Sequence, residues 1–391
     1  MIIDSDNKLR VLHITEMMQA AGIESFIMNV YREIDRDKIQ FDFFITRNEK
    51  EFYDDEIFCL GGLKYTVDCK NSFCILTKVL HESWLLYVFL RKKKYRVVHI
   101  HSGTPLRVFY LLAAKCAGVP MRIYHSHSAE VKGPHRFMKL KKQVFFLLRK
   151  FFIFWGTDFF ACSTEAGIWM YPKCILTSKR FQLINNGIDI DKFQFNQVQR
   201  NVVRDRLCLD NKLVFGHVGR FNDQKNHIFL LEVFKEILVR NSESFLLLIG
   251  NGELLDSVKK YTKKLGIEKN VMFLGVRQDV NELLMAMDSF LLPSNYEGLP
   301  VVGVEAQVSG LPVFFSDVIT RDVLLSDKVR YISLTDTPSA WASIILDVIT
   351  ITKESERIVS SRCLEFDIAR VVYKMTNIYL RVMDSNIKYD A

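Results

Sequence analysis

A chain of 391 residues with 49% hydrophobic and 25% charged residues has the profile of a globular protein, and it is too long for one ordinary core, so two domains are expected. No run approaches the roughly 20 apolar residues that a membrane-crossing helix needs; the longest candidates, 84–90 and 144–155, are short or broken by Arg149 and Lys150. The net charge of +8 favours an anionic partner, whether nucleotide, phospholipid or nucleic acid, without choosing among them.

The start, Met1-Ile2-Ile3-Asp4-Ser5-Asp6, carries acids rather than the basic region of a signal peptide, which predicts a cytoplasmic location. The eight cysteines form no C-x-x-C pair and mostly sit within apolar patterns. Reduced, mostly buried thiols are therefore expected, with neither a disulfide framework nor a zinc site.

In chain order, short apolar runs alternate with amphipathic stretches, the pattern of a parallel α/β sheet. Strands are predicted at Leu9–Ile14, Phe41–Ile45, Val97–His101, Arg122–Ser126 and Asp158–Cys162 in the first half. In the second half they fall at Leu213–Val218, Phe245–Ile249, Val271–Leu274, Ser289–Pro293 and Pro312–Phe315. Helices are predicted at Ile23–Arg32, Pro105–Ala117, His227–Arg240 and Leu254–Leu265, and Gly118-Val119-Pro120 and Gly310-Leu311-Pro312 each end a helix. Asn185–Asp189 with the polar 193–204 stretch reads as a linker, and 366–383 as a terminal helix whose covering domain the pattern does not name. Ligands of such folds bind at the carboxyl ends of the strands, here in a cleft between two doubly wound sheets.

The chemistry concentrates at those strand ends. Glu297-Gly298-Leu299-Pro300-Val301-Val302-Gly303-Val304-Glu305 follows the Ser289–Pro293 strand and a polar break. A helix over about 299–309, with Pro300 in its first turn, would aim free N–H groups at the Glu297–Gly298 turn and form an anion site suited to a diphosphate. Gly216-His217-Val218-Gly219-Arg220 ends another strand; Gly219 permits close approach of a phosphate, and Arg220 and Lys225 supply fixed positive charge. The spacing lacks a Rossmann fingerprint, and no G-x-x-x-x-G-K-[ST] loop occurs. Gly250-Asn251-Gly252-Glu253 and Gly275-Val276-Arg277-Gln278-Asp279 follow strand ends where a nucleotide base would lie.

In the first half, Ala20-Ala21-Gly22-Ile23-Glu24 opens a helix after the first strand and suits a phosphate or an acceptor. His125 and His127 share one face at the end of their strand, and a metal pair there lacks a third ligand candidate nearby. The stretch from Lys132 to Trp155 mixes Lys132, His135, Arg136, Lys139, Lys141 and Lys142 with seven aromatics, a composition suited to an anionic membrane surface. A core-packed helix with a solvated basic face is the competing reading, and nucleic acid a weaker one because no recognised binding motif accompanies the charge.

Taken together, "RIYHSHS", "FACSTEAG" at 160–167, "NNGIDIDKF" at 185–193, "GRFNDQKN", "GNGEL" and "EGLPVVGVEAQVSGLPV", with Gly22-Ile23-Glu24-Ser25-Phe26 and the 31–43 run, resemble the retaining glycosyltransferases of family 4 over nearly the whole chain. Enzymes that build exopolysaccharide, capsule or O-antigen chains are the nearest in flavour. The resemblance implies the α/β GT-B fold, with two Rossmann-like doubly wound domains facing across a cleft and a C-terminal helix. It implies an acceptor domain over 1–190, a donor domain over 191–365 and a terminal helix over 366–391 that returns to the first domain. It also implies retaining transfer from a nucleoside diphosphate sugar, UDP-linked, to a glycan or polyprenyl-diphosphate-linked acceptor, with no cofactor, no metal and no nucleic acid, at the inner face of the membrane.

Carried over by position, Arg220 and Lys225 grip the diphosphate and Glu297 contacts the donor sugar. Gly298 and Leu299 present N–H groups to the phosphate, and Glu305 binds the ribose hydroxyls. Gly219, Gly250, Val276 and Arg277 line the nucleotide, and Gly22 lies in the first-domain glycine loop, where Ala20-Ala21 replaces the family's further glycines. His127 is preferred over His125 as the active-site histidine because it immediately precedes the loop. Asp189-Ile190-Asp191 spells D-x-D within the linker and is not read as a metal site. Other GT-B activities, an epimerase or a glucan synthase, and a silent nucleotide-sugar-binding scaffold are the alternatives.

Overall fold

The computed structural model describes residues 8–19, 22–47, 49–67, 74–127, 138–351 and 357–384, which form two compact units. Unit 1 comprises residues up to Gly187 together with those from Ile368, and unit 2 runs from Ile188 to Asp367. Each is built on its own all-parallel sheet.

Unit 1 contains β1 (Leu9–Thr15), β2 (Ile39–Ile45), β3 (Lys64–Thr66), β4 (Val97–Ser102), β5 (Met121–Ser126), β6 (Asp158–Ala161) and β7 (Phe181–Leu183). Their order is β3-β2-β1-β4-β5-β6-β7. The central strands are buried along their length, as parallel strands covered by helices on both faces must be. Unit 2 contains β8 (Leu213–Val218), β9 (Ser244–Ile249), β10 (Val271–Gly275), β11 (Ser289–Leu292), β12 (Val313–Ser316) and β13 (Val329–Ile332), in the order β10-β9-β8-β11-β12-β13. In both sheets the order reverses beside the first strand, at β1/β4 and at β8/β11, and such a switch point opens a crevice at the carboxyl ends.

Several expectations need correction. Strands β3, β7 and β13 lie at or beside sheet edges and are too short to show a period-2 pattern. The supposed linker stretch holds an ordered helix, Gln197–Arg206, whose Arg200 and Arg204 are buried in unit 2. The 299–309 helix is shorter, Val301–Val308, with Pro300 as its extended N-cap (φ −74°, ψ 99°). A residue before proline is pushed out of the α region, so Leu299 cannot start the helix. Among the described cysteines only Cys162 and Cys363 are buried, while Cys59, Cys74, Cys116, Cys174 and Cys208 are exposed. Apolar neighbours in sequence therefore did not mark the side of the helix or turn on which these thiols lie.

The terminal segment folds as the Ile368–Leu380 helix, flanked by short 3-10 turns, and its Ile368, Val371, Met375, Ile378 and Tyr379 enter the core of unit 1 with Phe26, Phe41 and Phe43. No described helix is long and apolar enough to cross a membrane. A helix spans Met138–Arg149; Lys132, His135, Arg136 and Phe137, and the side chains of Lys139, Lys141 and Lys142, lie outside the described residues, as do Ala20 and Ala21.

Candidate functional site

In unit 2 the three loops that leave β8, β9 and β10 stack on one another. The amide of Gly250 donates to the Gly275 carbonyl at 2.8 Å, and the amide of Gly219 to the Ile249 carbonyl at 2.9 Å. Gly250 has φ +135°, and a Cβ there would sit 2.1 Å from the Gly219 oxygen, so only glycine allows this approach. At Gly219 a Cβ would meet the Lys225 side chain at 2.8 Å. The bare glycine is what lets the lysine stem lie across the strand end.

Lys225 ends a 3-10 turn, Asp223–Lys225, capped by Asn222, whose side chain accepts from the Lys225 amide. From there its ammonium reaches Glu297 Oε1 at 2.7 Å. Ser294 Oγ donates to the same oxygen at 2.8 Å, and Gln224 Nε2 donates to Oε2 at 3.0 Å. Asn295 clamps the two loops together, its amide donating to the Gln224 carbonyl at 2.8 Å and its side chain to the Asp223 carbonyl at 2.7 Å. The Lys225 and Glu297 side chains are 14% and 7% exposed, so the ion pair is largely dehydrated and strongly placed.

The other expected residues of unit 2 have these surroundings. Arg220 is exposed on the same loop. Val276 is exposed, and Arg277 is paired with Asp279 at 2.7 and 2.5 Å. Gly298 and Leu299 follow Glu297 ahead of the Val301–Val308 helix. Glu305, within that helix, is half-buried; dehydration raises its carboxyl to about 7, and Lys192 pulls the other way. Ser294, Gln224 and Lys192 were not singled out from sequence, where they read as ordinary polar residues of turns and short helices.

In unit 1, Gly22 opens the Gly22–Glu33 helix, and among the described residues nothing lies within 4 Å of its Cβ position. His127 lies just past β5 and is half-buried, whereas His125 is fully buried. The expectation that this pair lacks a third metal ligand is wrong. The register of β1, β4 and β5 sets His13 beside His99 and His101 beside His125, joining five histidines on one sheet face. His13 Nδ1 lies 2.9 Å from His101 Nε2, and His101 Nδ1 lies 3.0 Å from His127 Nε2. His99 Nδ1 lies 2.7 Å from the Tyr379 hydroxyl. Dehydration lowers all five, His13 and His127 to about 3. The H-x-H pairs at 99–101 and 125–127, each at a strand end, were the available signal, but only the strand order shows that they adjoin.

Residues 20–192 match the family description "Glycosyltransferase Family 4", and residues 200–361 match "Glycosyl transferases group 1". The chain is 35% identical to EpsF, a provisionally assigned glycosyltransferase of Bacillus subtilis (strain 168), over 87% of this chain and 88% of EpsF. It is 27% identical to the Escherichia coli UDP-Gal:alpha-D-GlcNAc-diphosphoundecaprenol alpha-1,3-galactosyltransferase, over 82% of this chain and 83% of that enzyme. The fold matches the crystal structure of Anabaena HepE in complex with UDP-glucose, with a TM-score of 0.73 at 18% identity over 95% of this chain and 99% of HepE. With the GT-B fold on two parallel-sheet units and a relative this similar over most of both chains, the protein belongs to the family 4 glycosyltransferases, of the kind that serves polysaccharide biosynthesis.

Proposed function

We propose that the protein transfers a hexosyl group, with retention of configuration, from a UDP-linked sugar to a glycan or polyprenyl-diphosphate-linked acceptor during surface polysaccharide synthesis. The observation that carries this reading is the Lys225–Glu297 pair, held by Ser294 and Gln224 beside a glycine-stacked strand edge. An ammonium has three N–H groups, so Lys225 can hold Glu297 and a phosphate oxygen at once. The donor named in the E. coli relative is a UDP-sugar and its acceptor a diphosphoundecaprenol-linked sugar, which supports the same classes here.

In the proposed reaction the acceptor hydroxyl attacks the anomeric carbon on the face from which the diphosphate leaves, through an oxocarbenium-like state. The C–O bond to the diphosphate breaks, that oxygen keeps the electron pair, and the proton of the acceptor hydroxyl passes to the departing diphosphate. Lys225 and Arg220, with the amides of Gly298 and Leu299, take the growing negative charge. Glu297 positions the sugar and stabilises positive charge rather than forming a covalent adduct. His127 hydrogen-bonds the transferred sugar, Glu305 the ribose hydroxyls, and Gly219, Gly250 and Val276 bound the nucleotide. Basic side chains serve where other transferases use a divalent ion.

The site of action in this reading is the cytoplasmic face of the membrane. Phe146, Leu147 and Phe154, all more than half exposed, support a lipid contact by the segment ending at Trp155. Charge reversal at Lys139, Lys141 and Lys142 should release the protein from anionic liposomes, and unchanged binding counts against this contact.

The test is to screen UDP- and GDP-sugars for a rise in melting temperature, then to supply the stabilising donor, radiolabelled, with a polyprenyl-diphosphate-linked acceptor and excess EDTA. A labelled lipid-linked product with an α-configured new linkage from an α-linked donor is expected. A free epimerised sugar, a growing glucan or no product from any stabilising donor overturns the proposal. Loss of transfer in EDTA that a divalent ion restores overturns its metal-free part.

A further inference from the structure

Five histidines converge on one face of the unit 1 sheet, and the proposed transfer uses one of them. His13 comes from β1, His99 and His101 from β4, and His125 and His127 from the end of β5 and the residue after it. Phe26 packs edge-on against His125, with ring centres 5.2 Å apart, and the Tyr379 ring packs near His99. Buried polar atoms are normally partnered, yet both ring nitrogens of His125, and Nε2 of His13 and of His99, have no hydrogen-bond partner among the described residues. Unpartnered imidazole nitrogens facing one another are the donor set that a borderline transition-metal ion takes.

Two trios bring one nitrogen per residue within 4.8 Å of each other: His13–His99–His101 and His101–His125–His127. The second is the better site. His99 Nδ1 is occupied by the Tyr379 hydroxyl, and all three members of the first trio are fully buried. His127 is half-buried and gives an ion a way in, while His101 also lines a cavity of about 530 Å³ with Glu16, Lys78 and Arg107.

We propose that His101, His125 and His127 bind one Zn²⁺-class ion through three imidazole nitrogens, leaving a fourth tetrahedral position to water. For two of the three ligands the required movement is small. His101 Nδ1 and His127 Nε2 are 3.0 Å apart, and two nitrogens at about 2.0–2.1 Å from a tetrahedral ion are roughly 3.3 Å apart. An ion replaces the shared proton once the rings separate by a few tenths of an ångström. His101 is also correctly supported from behind: its Nε2 faces His13 Nδ1 at 2.9 Å, so an Nε2–H donated to His13 leaves the Nδ1 lone pair for the metal. Metal-bound histidines characteristically donate their second ring N–H in this way.

The test uses the full chain without a histidine tag, stripped with chelator and titrated with Co²⁺, whose visible spectrum distinguishes four-coordinate from six-coordinate sites. One Co²⁺ per chain with the intense absorption of a tetrahedral ion, displaced by Zn²⁺, is expected. His127→Gln, at the half-buried position, should abolish that spectrum while melting like the wild type without metal; His81→Gln, on the exposed face of the Ile75–Lys93 helix, should leave it unchanged. His99→Gln should also retain it. A weak six-coordinate spectrum, less than one ion per chain, or loss of binding in His81→Gln or His99→Gln but not in His127→Gln overturns the proposal. These readouts involve no donor, acceptor or transfer, so they stand apart from the role of His127 in catalysis.

Discussion

Lys225 and Glu297 lie 72 residues apart in sequence and 2.7 Å apart in the fold; both were legible as donor-site residues, but not as partners of one another. Their approach follows from β8 and β11 being neighbours, which no local pattern states. The same holds for the five histidines, whose H-x-H spacing is visible but whose adjacency is a product of strand order. Removing the lysine strands a carboxylate that is 7% exposed, so Lys225→Ala should cost about 3 kcal/mol, the low end for a broken buried pair because Ser294 and Gln224 still donate to Glu297. Adding Glu297→Gln should recover most of that loss in urea unfolding, whereas additive losses would show that the two do not interact. With UDP as ligand, Lys225→Ala should weaken binding about 10- to 100-fold, the worth of one charge-assisted hydrogen bond, and calorimetry reads this directly. Glu305 gives a pH signature. Its folded value of about 7 lies above the ordinary 4.5, so the folded protein holds the extra proton between those limits. The stability this contributes is complete below about 4.5 and is lost as pH rises through 7. Glu305→Gln should therefore melt higher than the wild type at pH 8, with the difference shrinking towards pH 5. An equal difference at both pH values would rule out dehydration of Glu305 as the cause.

At the level of elements, long buried strands and strongly amphipathic helices were legible and short or polar elements were not. The Leu213–Val218 strand and the His227–Arg240 helix have the predicted boundaries because a covered parallel strand is a continuous apolar run and a half-buried helix repeats every 3.6 residues. The Gln197–Arg206 helix has few apolar residues, and beside Val203 it buries two arginines. Arg200 and Arg204, four apart and so on one helix face, point at the end of the Val280–Ala286 helix. Arg200 donates to the Met285 and Met287 carbonyls at 2.9 Å each and to Asp288 Oδ1 at 2.5 Å. Arg204 donates to the Ala286 carbonyl at 2.9 Å, and its second amino group reaches the Leu209 and Lys212 carbonyls. Asp288 also accepts from the Val214 amide at 2.7 Å, which ties this helix to the start of β8. Replacing Asp288 with Ala leaves two buried guanidiniums without their counter-charge and one amide without its acceptor. A loss of about 3–5 kcal/mol in urea unfolding is expected. A loss below 1 kcal/mol would mean that the backbone carbonyls alone hold the arginines.

Across the whole molecule the chain passes from unit 1 to unit 2 after Gly187 and back after Asp367, so the last helix belongs to the core laid down first. Its apolar spacing announced a buried face, but periodicity says nothing of what covers that face, and the answer lies in side chains some 340 residues earlier. Tyr379 packs edge-on against Phe41 with ring centres 6.0 Å apart, and its hydroxyl meets His99. The helix also covers the Gly187 turn, where a Cβ would sit 2.7 Å from the Ile368 side chain. Burying a side chain such as Ile, Val or Met contributes about 1.5–3 kcal/mol. Loss of the five buried by this helix would then remove stability comparable to the 5–15 kcal/mol of an entire domain. Unit 2 has a separate core, with Phe215, Phe234, Leu246 and Trp341 among its members, and among the described residues none beyond Asp367 belongs to it. Truncation after Asp367 should consequently unfold unit 1 while leaving unit 2 intact. The protein would melt in two stages, and limited proteolysis would leave a resistant fragment starting near Ile188. A single transition at the wild-type temperature would show that the helix is peripheral to unit 1, and simultaneous loss of both units would show that unit 2 cannot stand without it.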